Sequence, residues 1–402
     1  MGPVRFLLLN QFFWPDVAAT SQLLTDLARH LADEGHEVRV ICARSSYTRS
    51  GYGTLRQVVP ARKDCIEVVR VNGVGFARRS TRLLSYATYL AGAFWHALKG
   101  PPPDVVVTLT TPPLLGLVGT LVKQVRGARH FQWEMDLYPD VATALGMQSA
   151  EWASWLLDWP RRGAVGVIAL GECMAERLRG RGIAAEKIHV AENWADGVKI
   201  RPRAFPDFGT LTVVYSGNLG RAHEVETVAG AVPRLDGRFR LVVAGDGVGR
   251  RELERAGAGT RGGAMVTFEG YCGYEELGER LGRGHIGLVT QKRETLGCVV
   301  PSKVYGILAA GRPVLFVGPA EATPTRIVER FRCGWHIEPG DVDGLVALLE
   351  LLKGHPEEVV AAGRRARAAF EEHYDRPIGV VRICGILGLK VGRDVLVRAA
   401  GG

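Results

Sequence analysis

Short apolar segments alternate with segments of helical periodicity along this 402-residue chain, and this order constrains the fold more than any other feature. After the apolar segment 6–10, Leu24, Leu27 and Leu31 share one face of a predicted helix, and 38–41 is the next apolar segment. Strands joined through helices run parallel, so the alternation predicts an α/β fold with doubly wound parallel sheets. The predicted strands are 6–10, 38–41, 66–71, 105–108, 128–133 and 166–170 in the first half and 211–216, 240–244, 265–269, 286–290 and 313–317 in the second.

A Pro-, Gly- and charge-rich stretch, 197–209, separates two such series. The chain is also longer than one hydrophobic core usually organises. We therefore predict two Rossmann-like domains, 1–200 and 201–375, followed by a terminal helix or tail, 376–402, that packs back on the first domain. Ligands of doubly wound sheets bind at the carboxyl ends of the strands, so we expect a cleft between two facing carboxyl edges.

Composition limits the partners and the compartment. Lys and Arg outnumber Asp and Glu by 51 to 42, a net charge of +9 that favours anionic partners such as phosphates, acidic lipid or nucleic acid. No nucleic-acid-binding module is recognisable, so we expect no nucleic-acid partner. The seven scattered cysteines include no C-x-x-C pair, as expected of reduced thiols in a cytosolic protein. No unbroken apolar run is long enough to span a membrane and no export signal is recognisable, which predicts a cytoplasmic location.

Two glycine-rich loops follow predicted strands of the second half. The first contains Gly217, Asn218, Gly220 and Arg221, and a strand that runs into such a loop and a helix start directs backbone N–H groups at an anion. Arg221 then adds a charge-assisted bond to a phosphate; the alternative is a tight turn with a solvated arginine. The second loop contains Gly245, Asp246 and Gly247, and its G-x-G-x-G spacing does not fit a dinucleotide site.

The segment 294–314 predicts a diphosphate site. A helix begins near Pro301 or Ser302, and Lys303 follows at once. A cation at a helix amino terminus opposes the helix dipole, at a cost of about 0.3–1 kcal/mol. An anionic ligand explains this placement better than chance does, although a solvated Lys303 remains the alternative.

These segments together resemble family 4 glycosyltransferases of GT-B fold. The resemblance is carried by 217–221, 245–247, 301–303 and 311–314, and it spans almost the whole chain. Segments 10–31, 136–139 and 192–194 also resemble the branch of the family that transfers amino sugars or deoxysugars in bacterial surface-polysaccharide assembly.

The resemblance implies a retaining transfer from a nucleotide-diphosphate sugar, with a uridine diphosphate donor expected, to a hydroxyl of a lipid-linked or glycan acceptor. The transferred sugar is of the hexosyl or N-acetylhexosaminyl type, and the donor is a co-substrate rather than a cofactor. The second domain holds the donor and the first holds the acceptor.

No D-x-D-like motif stands at a suitable strand end, so we expect no metal. The expected donor contacts are Gly217, Asn218, Gly220, Gly245, Asp246, Gly247, Cys298, Val299 and Ser302, the acceptor contacts are Gln11, Thr20 and Tyr138, and the catalytic residues are Asp136, Glu294, Lys303 and Arg221.

This sequence departs from the family at its two usual glutamates, which stand eight positions apart. If Glu294 is the first, Ser302 stands at the second; if Gly311 fixes the register, the positions become Cys298 and Gly306.

The family's usual Arg and Lys of the phosphate loop align with Asn218 and His223, which leaves Arg221 and Lys303 as the available cations. Retention implies, by the resemblance, front-face attack in which the departing phosphate oxygen takes the acceptor's proton. In the alternative, Asp136 orients the acceptor hydroxyl or acts as the base that takes this proton. The structural interpretation of Asp136 is that it only caps the following turn.

The segment 78–99 combines Arg and Lys with aromatic residues, as an interfacial membrane anchor does, whereas a buried crossover helix is the alternative. Lipid-linked acceptors of the branch lie at the inner leaflet, so we expect peripheral contact with that surface. Two other functions stay open: a nucleotide-sugar epimerase of the same fold, which needs no acceptor, and a sugar-nucleotide-binding protein without catalysis.

Overall fold

The computed structural model describes residues 2–16, 18–44, 56–60, 65–71, 82–147, 154–259, 263–270 and 273–389. The chain divides into two compact units. The first consists of Met1–Thr143, Met147–Glu192 and Val380–Gly392, and the second of Ala144–Gly146, Asn193–Gly379 and Arg393–Gly402. The predicted domain boundaries, and the ligand predicted for each domain, stay predictions. In the predicted terminal segment 376–402, residues 390–402 lie outside the described residues.

Within the described ranges, the sheet of the first unit has eight strands: β1 (Arg5–Leu9), β2 (Glu37–Ala43), β3 (Arg56–Pro60), β4 (Cys65–Val71), β5 (Val105–Leu109), β6 (Arg129–Trp133), β7 (Gly166–Ala169) and β8 (Ile188–Val190). Their order is β3-β4-β2-β1-β5-β6-β7-β8. Every neighbouring pair is parallel except β3 with β4. The direction of winding reverses between β1 and β5, and such a switch point opens a crevice at the carboxyl ends of the strands.

In the part of the second unit that the structure describes, the sheet has six strands: β9 (Leu211–Ser216), β10 (Phe239–Ala244), β11 (Met265–Glu269), β12 (Ile286–Thr290), β13 (Val314–Val317) and β14 (Gly334–Ile337). All pairs are parallel in the order β11-β10-β9-β12-β13-β14. Val213 and Tyr215 of β9 pack in one apolar cluster and Val214 in another, so both faces of this strand are buried. The switch point lies between β9 and β12.

The helices in the described chain are α1 (Ala19–Asp33), α2 (Arg82–Leu98), α3 (Leu115–Arg126), α4 (Asp140–Ala144), α5 (Ser154–Gly163), α6 (Glu172–Gly180), α7 (Glu226–Ala231), α8 (Arg250–Ala258), α9 (Leu277–Gly282), α10 (Lys303–Ala309), α11 (Thr323–Phe331), α12 (Val342–Gly354), α13 (Pro356–His373) and α14 (Arg376–Ile386). Among them, none is both long enough and apolar enough to cross a bilayer.

The predicted α/β fold with doubly wound parallel sheets is confirmed. Three strands were not predicted: β3, β8 and β14. β3 is an antiparallel edge strand within an Arg-rich stretch, and β8 has only three residues. β14 is also an edge strand, and the sequence Gly-Trp-His-Ile has only one fully apolar aliphatic residue. Edge strands need no continuous apolar run, which is why hydrophobicity alone misses them.

Candidate active site

The loops after β9 and β12 flank the switch point of the second sheet and are fastened to each other. The backbone N–H of Lys292 donates to the carbonyl of Ala222 at 2.9 Å. The Lys292 ammonium donates to Glu226 Oε1 at 2.7 Å, and this bond raises the pKa of Lys292. The charge of Lys292 is thereby satisfied within the protein.

Glycines let the loop after β10 pack directly on the loop after β9. A Cβ at Gly245, where φ is +134°, would lie 2.2 Å from the carbonyl oxygen of Gly217. A Cβ at Gly247, where φ is +140°, would lie 2.4 Å from the carbonyl oxygen of Leu219. The N–H of Leu219 in turn donates to the carbonyl of Asp246 at 2.8 Å. Gly245 and Gly247 therefore support the shape of the Gly217 loop through backbone packing.

Lys303 is the first residue of α10, and its side chain lies against the Gly217 loop. A Cβ at Gly217 would lie 2.6 Å from Lys303 Cε. Lys303 Nζ lies 5.2 Å from the centroid of the Tyr215 ring and 3.3 Å from His223 Nε2. Burial lowers the pKa of Lys303 to about 8. Within the described chain Lys303 forms no ion pair, so its charge is available to an anionic ligand.

The polar residues predicted at the two glycine loops, Asn218, Arg221 and Asp246, are exposed. Arg221 is exposed and has no ion pair or hydrogen bond among the described residues. The backbone on either side of it is held by hydrogen bonds from the N–H groups of Leu219 and His223. Asn218 and Asp246 are also exposed, and Asp246 Oδ1 accepts from the N–H of Gly247 at 2.8 Å. Gly220 is partly buried.

The segment after β12 contains both pairs of positions that could correspond to the family's two glutamates, and the two pairs differ in burial. Glu294 is exposed on a short 3₁₀ helix, and Ser302 is partly buried at the N-cap of α10. Cys298 is fully buried, and the neighbouring Val299 is partly buried. The nearest atoms to a Cβ at Gly306 belong to Leu277, Ile200 and Leu281, at 3.6, 3.9 and 4.0 Å. The Gly311 register thus places its two positions in buried surroundings, whereas the Glu294 register keeps one exposed carboxylate.

Asp136 follows β6 in the first unit and has an unusual electrostatic environment. Burial and the charge of Glu134 raise its pKa to about 6. Glu134 is fully buried and accepts from Arg161 Nε at 2.8 Å and from Arg161 Nη2 at 3.1 Å. The backbone N–H of Asp136 donates to Thr110 Oγ1 at 3.2 Å, directly after β5. A partly buried carboxyl group with a raised pKa is suited to accept a proton near neutral pH.

Gln11, a predicted acceptor contact, lies at the switch point of the first sheet. Its N–H donates to the carbonyl of Thr111 at 2.8 Å, and its side chain is 2% exposed. Gln11 Oε1 and Ser21 Oγ are buried without a hydrogen-bond partner in the described residues. Thr20 lies partly buried in the first turn of α1.

Tyr138, another predicted acceptor contact, is partly buried two residues after Asp136. The roles of Gln11, Thr20 and Tyr138 stay predictions.

The predicted membrane segment begins at 78–81, outside the described residues, and continues into α2. Tyr89 is fully buried in this helix, and Phe94 packs against the core. Trp95 is 57% exposed, with Lys99 Nζ 4.3 Å from its ring centroid. The helix thus has a core face and an exposed aromatic-cationic position.

The described part of the chain contains no group of three or more His, Cys, Asp or Glu side chains that could hold a metal ion. Metal independence remains a prediction.

Two residues of these sites were missed as site residues by sequence reasoning. His223 lies between Lys303 and the end of β12, and its position in the glycine loop was the available signal. Glu134 acts on Asp136 from two residues away, but its burial is not readable from its sequence position.

Comparison with known proteins identifies the family. Residues 20–194 match the profile of the "glycosyl transferase 4-like domain", and residues 199–369 match that of the "glycosyl transferases group 1". The chain is similar to the putative colanic acid biosynthesis glycosyl transferase WcaI of Escherichia coli, at 26% identity over 86% of this chain and 91% of that protein. It is also similar to a GDP-mannose-dependent alpha-mannosyltransferase of Mycobacterium tuberculosis, at 27% identity over 85% of this chain and 86% of that protein.

Solved structures share the fold. Sucrose-phosphate synthase of Thermosynechococcus elongatus aligns with a TM-score of 0.76 at 15% identity, over 98% of this chain and 99% of the other. Anabaena HepE in complex with UDP-glucose aligns with a TM-score of 0.71 at 14% identity, over 96% of this chain and 99% of the other. These matches and the two sheets show that the chain belongs to the family 4 glycosyltransferases of GT-B fold.

Proposed function

We propose that this glycosyltransferase moves a hexosyl or N-acetylhexosaminyl group from a UDP-sugar to a hydroxyl of a lipid-linked or glycan acceptor, with retention of the anomeric configuration. The observation that carries the donor half of this proposal is Lys303. It is a partly buried cation that pairs with no carboxylate among the described residues, next to a glycine loop at the switch point of the second sheet. A diphosphate supplies the negative charge that this position lacks.

Lys303 acts on the leaving group. The nucleoside diphosphate gains negative charge as the bond to the sugar breaks, and a fixed cation beside it stabilises the transition state more than the ground state. Arg221 is exposed and unpaired among the described residues, so it is free to close on the same diphosphate. These two side chains supply the positive charge that a metal ion supplies in other transferases, which makes the reaction metal-independent.

The base of the nucleotide is proposed as uracil. Anabaena HepE, a structural neighbour, is recorded with UDP-glucose, whereas the mycobacterial relative is named as GDP-mannose-dependent. The donor screen below therefore includes both nucleotides.

The acceptor's proton has two routes. In front-face attack the departing phosphate oxygen takes it, and the protein contributes geometry. In the second route Asp136 takes it, for which a carboxyl group with a pKa of about 6 is suited. The acid side of the pH profile separates the two routes.

A lipid-linked acceptor requires the enzyme to approach a membrane surface. The exposed Trp95 with its neighbour Lys99 has the amphipathic character of an interfacial contact. We expect wild-type protein to co-sediment with vesicles of anionic lipid, and Trp95→Ala with Lys99→Ala to reduce the bound fraction. Equal binding of the double variant would remove α2 from the membrane contact.

A donor screen tests the proposed function. Purified enzyme is incubated with UDP- and GDP-linked hexoses and N-acetylhexosamines, with a bacterial lipid-linked oligosaccharide extract as acceptor, with and without EDTA. We expect nucleotide release that depends on the acceptor, is fastest with one UDP-sugar and is unchanged by EDTA. The anomeric coupling constant of the product, measured by NMR, should show the same configuration as in the donor. Conversion of the donor without acceptor would instead indicate an epimerase, and an inverted product would overturn the retaining mechanism.

A further inference from the structure

His223 connects Lys303, the cation proposed to bind the diphosphate, to the end of β12 through both of its ring nitrogens. Nδ1 lies 2.9 Å from the backbone carbonyl oxygen of Thr290. A carbonyl oxygen only accepts hydrogen bonds, so Nδ1 carries a proton and donates it. This contact fixes the tautomer of the ring.

The other ring nitrogen faces the lysine. Nε2 lies 3.3 Å from Lys303 Nζ, and an ammonium group only donates hydrogen bonds. Nε2 must therefore present its lone pair, and the imidazole is neutral. Burial and the charge of Lys303 lower the pKa of His223 to about 3, in agreement with this geometry. The edge-on contact with the Tyr215 ring, 5.9 Å between centroids, restricts the imidazole further.

We propose that His223 is a positioning residue of the donor site, which accepts a hydrogen bond from Lys303 through Nε2 and holds the ammonium group at the Gly217 loop. This inference rests on the proposed function, in which Lys303 binds the donor diphosphate. The imidazole orients the lysine through one lone pair while Thr290 orients the imidazole.

A neutral partner suits this task better than a carboxylate. A carboxylate would orient Lys303 equally well but would cancel its charge, as Glu226 does for Lys292. A lysine without any partner would lose more conformational entropy on binding the diphosphate, because its long side chain has many rotamers. The neutral imidazole leaves the full positive charge for the ligand and reduces this entropic cost.

The tautomer is measured directly by ¹H–¹⁵N correlation NMR of the histidine side chains at pH 7, with assignment by His223→Gln. We expect the His223 signals of a neutral ring protonated at Nδ1, the less common tautomer of free histidine. A ring protonated at Nε2, or a doubly protonated ring, would overturn the proposal. This experiment needs no ligand and is independent of whether the chain transfers a sugar.

Two neutral variants separate the two contacts of the ring. Gln at position 223 retains an acceptor at the place of Nε2, and Asn retains a donor at the place of Nδ1. Calorimetry with UDP and with GDP should show His223→Gln close to wild type and His223→Asn weaker by about 10-fold, the value of one hydrogen bond to a charged group. In transfer assays His223→Asn should lower kcat as well as raise KM for the donor, because a misplaced Lys303 stabilises the departing diphosphate less.

Equal affinity of His223→Asn and wild type, or equal losses in both variants with equal losses of thermal stability, would show that His223 is only structural. If wild type binds neither nucleotide, the proposed function fails. In that case the tautomer still decides whether His223 orients Lys303.

Discussion

The side chain of Lys303 occupies the space that a Cβ at position 217 would need, 2.6 Å from its Cε. Gly217 also has a φ of +129°, in a region that side chains disfavour. The glycine is therefore required by its own backbone, and a side chain at position 217 would also displace the end of the Lys303 side chain.

Gly217→Ala should displace Lys303 and strain the loop. We expect a loss of about 1–3 kcal/mol in the free energy of unfolding, from the positive φ, and weaker binding of UDP because the Lys303 ammonium is displaced. Urea denaturation and calorimetry measure the two effects. Gly306→Ala is the matched control for stability, because Gly306 lies inside α10 and its Cβ would make ordinary contacts of 3.6–4.0 Å with Leu277, Ile200 and Leu281. That variant should gain about 0.5–1 kcal/mol from helix propensity; equal destabilisation by both substitutions would contradict this account of Gly217.

The alternation of apolar and helical segments was sufficient to predict the two parallel sheets, because strands buried on both faces need continuous apolar runs. It also placed Lys303 at the start of a helix and Asp136 after a strand. It did not predict the partner of Lys303, because the contact with His223 joins residues 80 positions apart. Nor did it show that Gly245 and Gly247 pack on the Gly217 loop, since that role depends on which strands are neighbours.

Lys303→Met should raise stability while it removes function. A methionine fills similar space without a charge, and the uncompensated cation of wild type costs about 1–2 kcal/mol at pH 7 after allowance for solvent screening. The folded pKa of about 8 lies below the ordinary lysine value of 10.5. The folded state thus binds fewer protons between these values, and the stability of wild type rises with pH in that window. The difference in free energy of unfolding between Lys303→Met and wild type, measured by denaturation, should be smaller at pH 10 than at pH 7. A variant less stable than wild type at pH 7 would indicate that the lysine has a structural role.

The alkaline side of the kcat/KM profile should report Lys303. Its ammonium loses its proton above about pH 8 in the free enzyme, so donor capture should decline there. Lys303→Arg keeps a cation throughout and should shift this decline to higher pH, even if its geometry lowers the rate. A decline at the same pH in the arginine variant would assign the alkaline limb to another group.

The acid side of the profile distinguishes the two proton routes. If Asp136 is the base, kcat/KM should fall by about tenfold per pH unit below its pKa, which is about 6. Asp136→Asn should then remove this limb and lower kcat by about 100- to 10,000-fold. An acid limb that persists in the variant, with near-normal kcat, would favour proton transfer to the departing phosphate oxygen.

The central claim is that Lys303 binds a nucleoside diphosphate, and isothermal titration of UDP and GDP into wild type and Lys303→Met tests it most directly. We expect wild type to bind UDP more tightly than GDP, and the methionine variant to bind UDP about 10- to 100-fold more weakly while it remains folded. Equal affinity of the two proteins for UDP would contradict the claim.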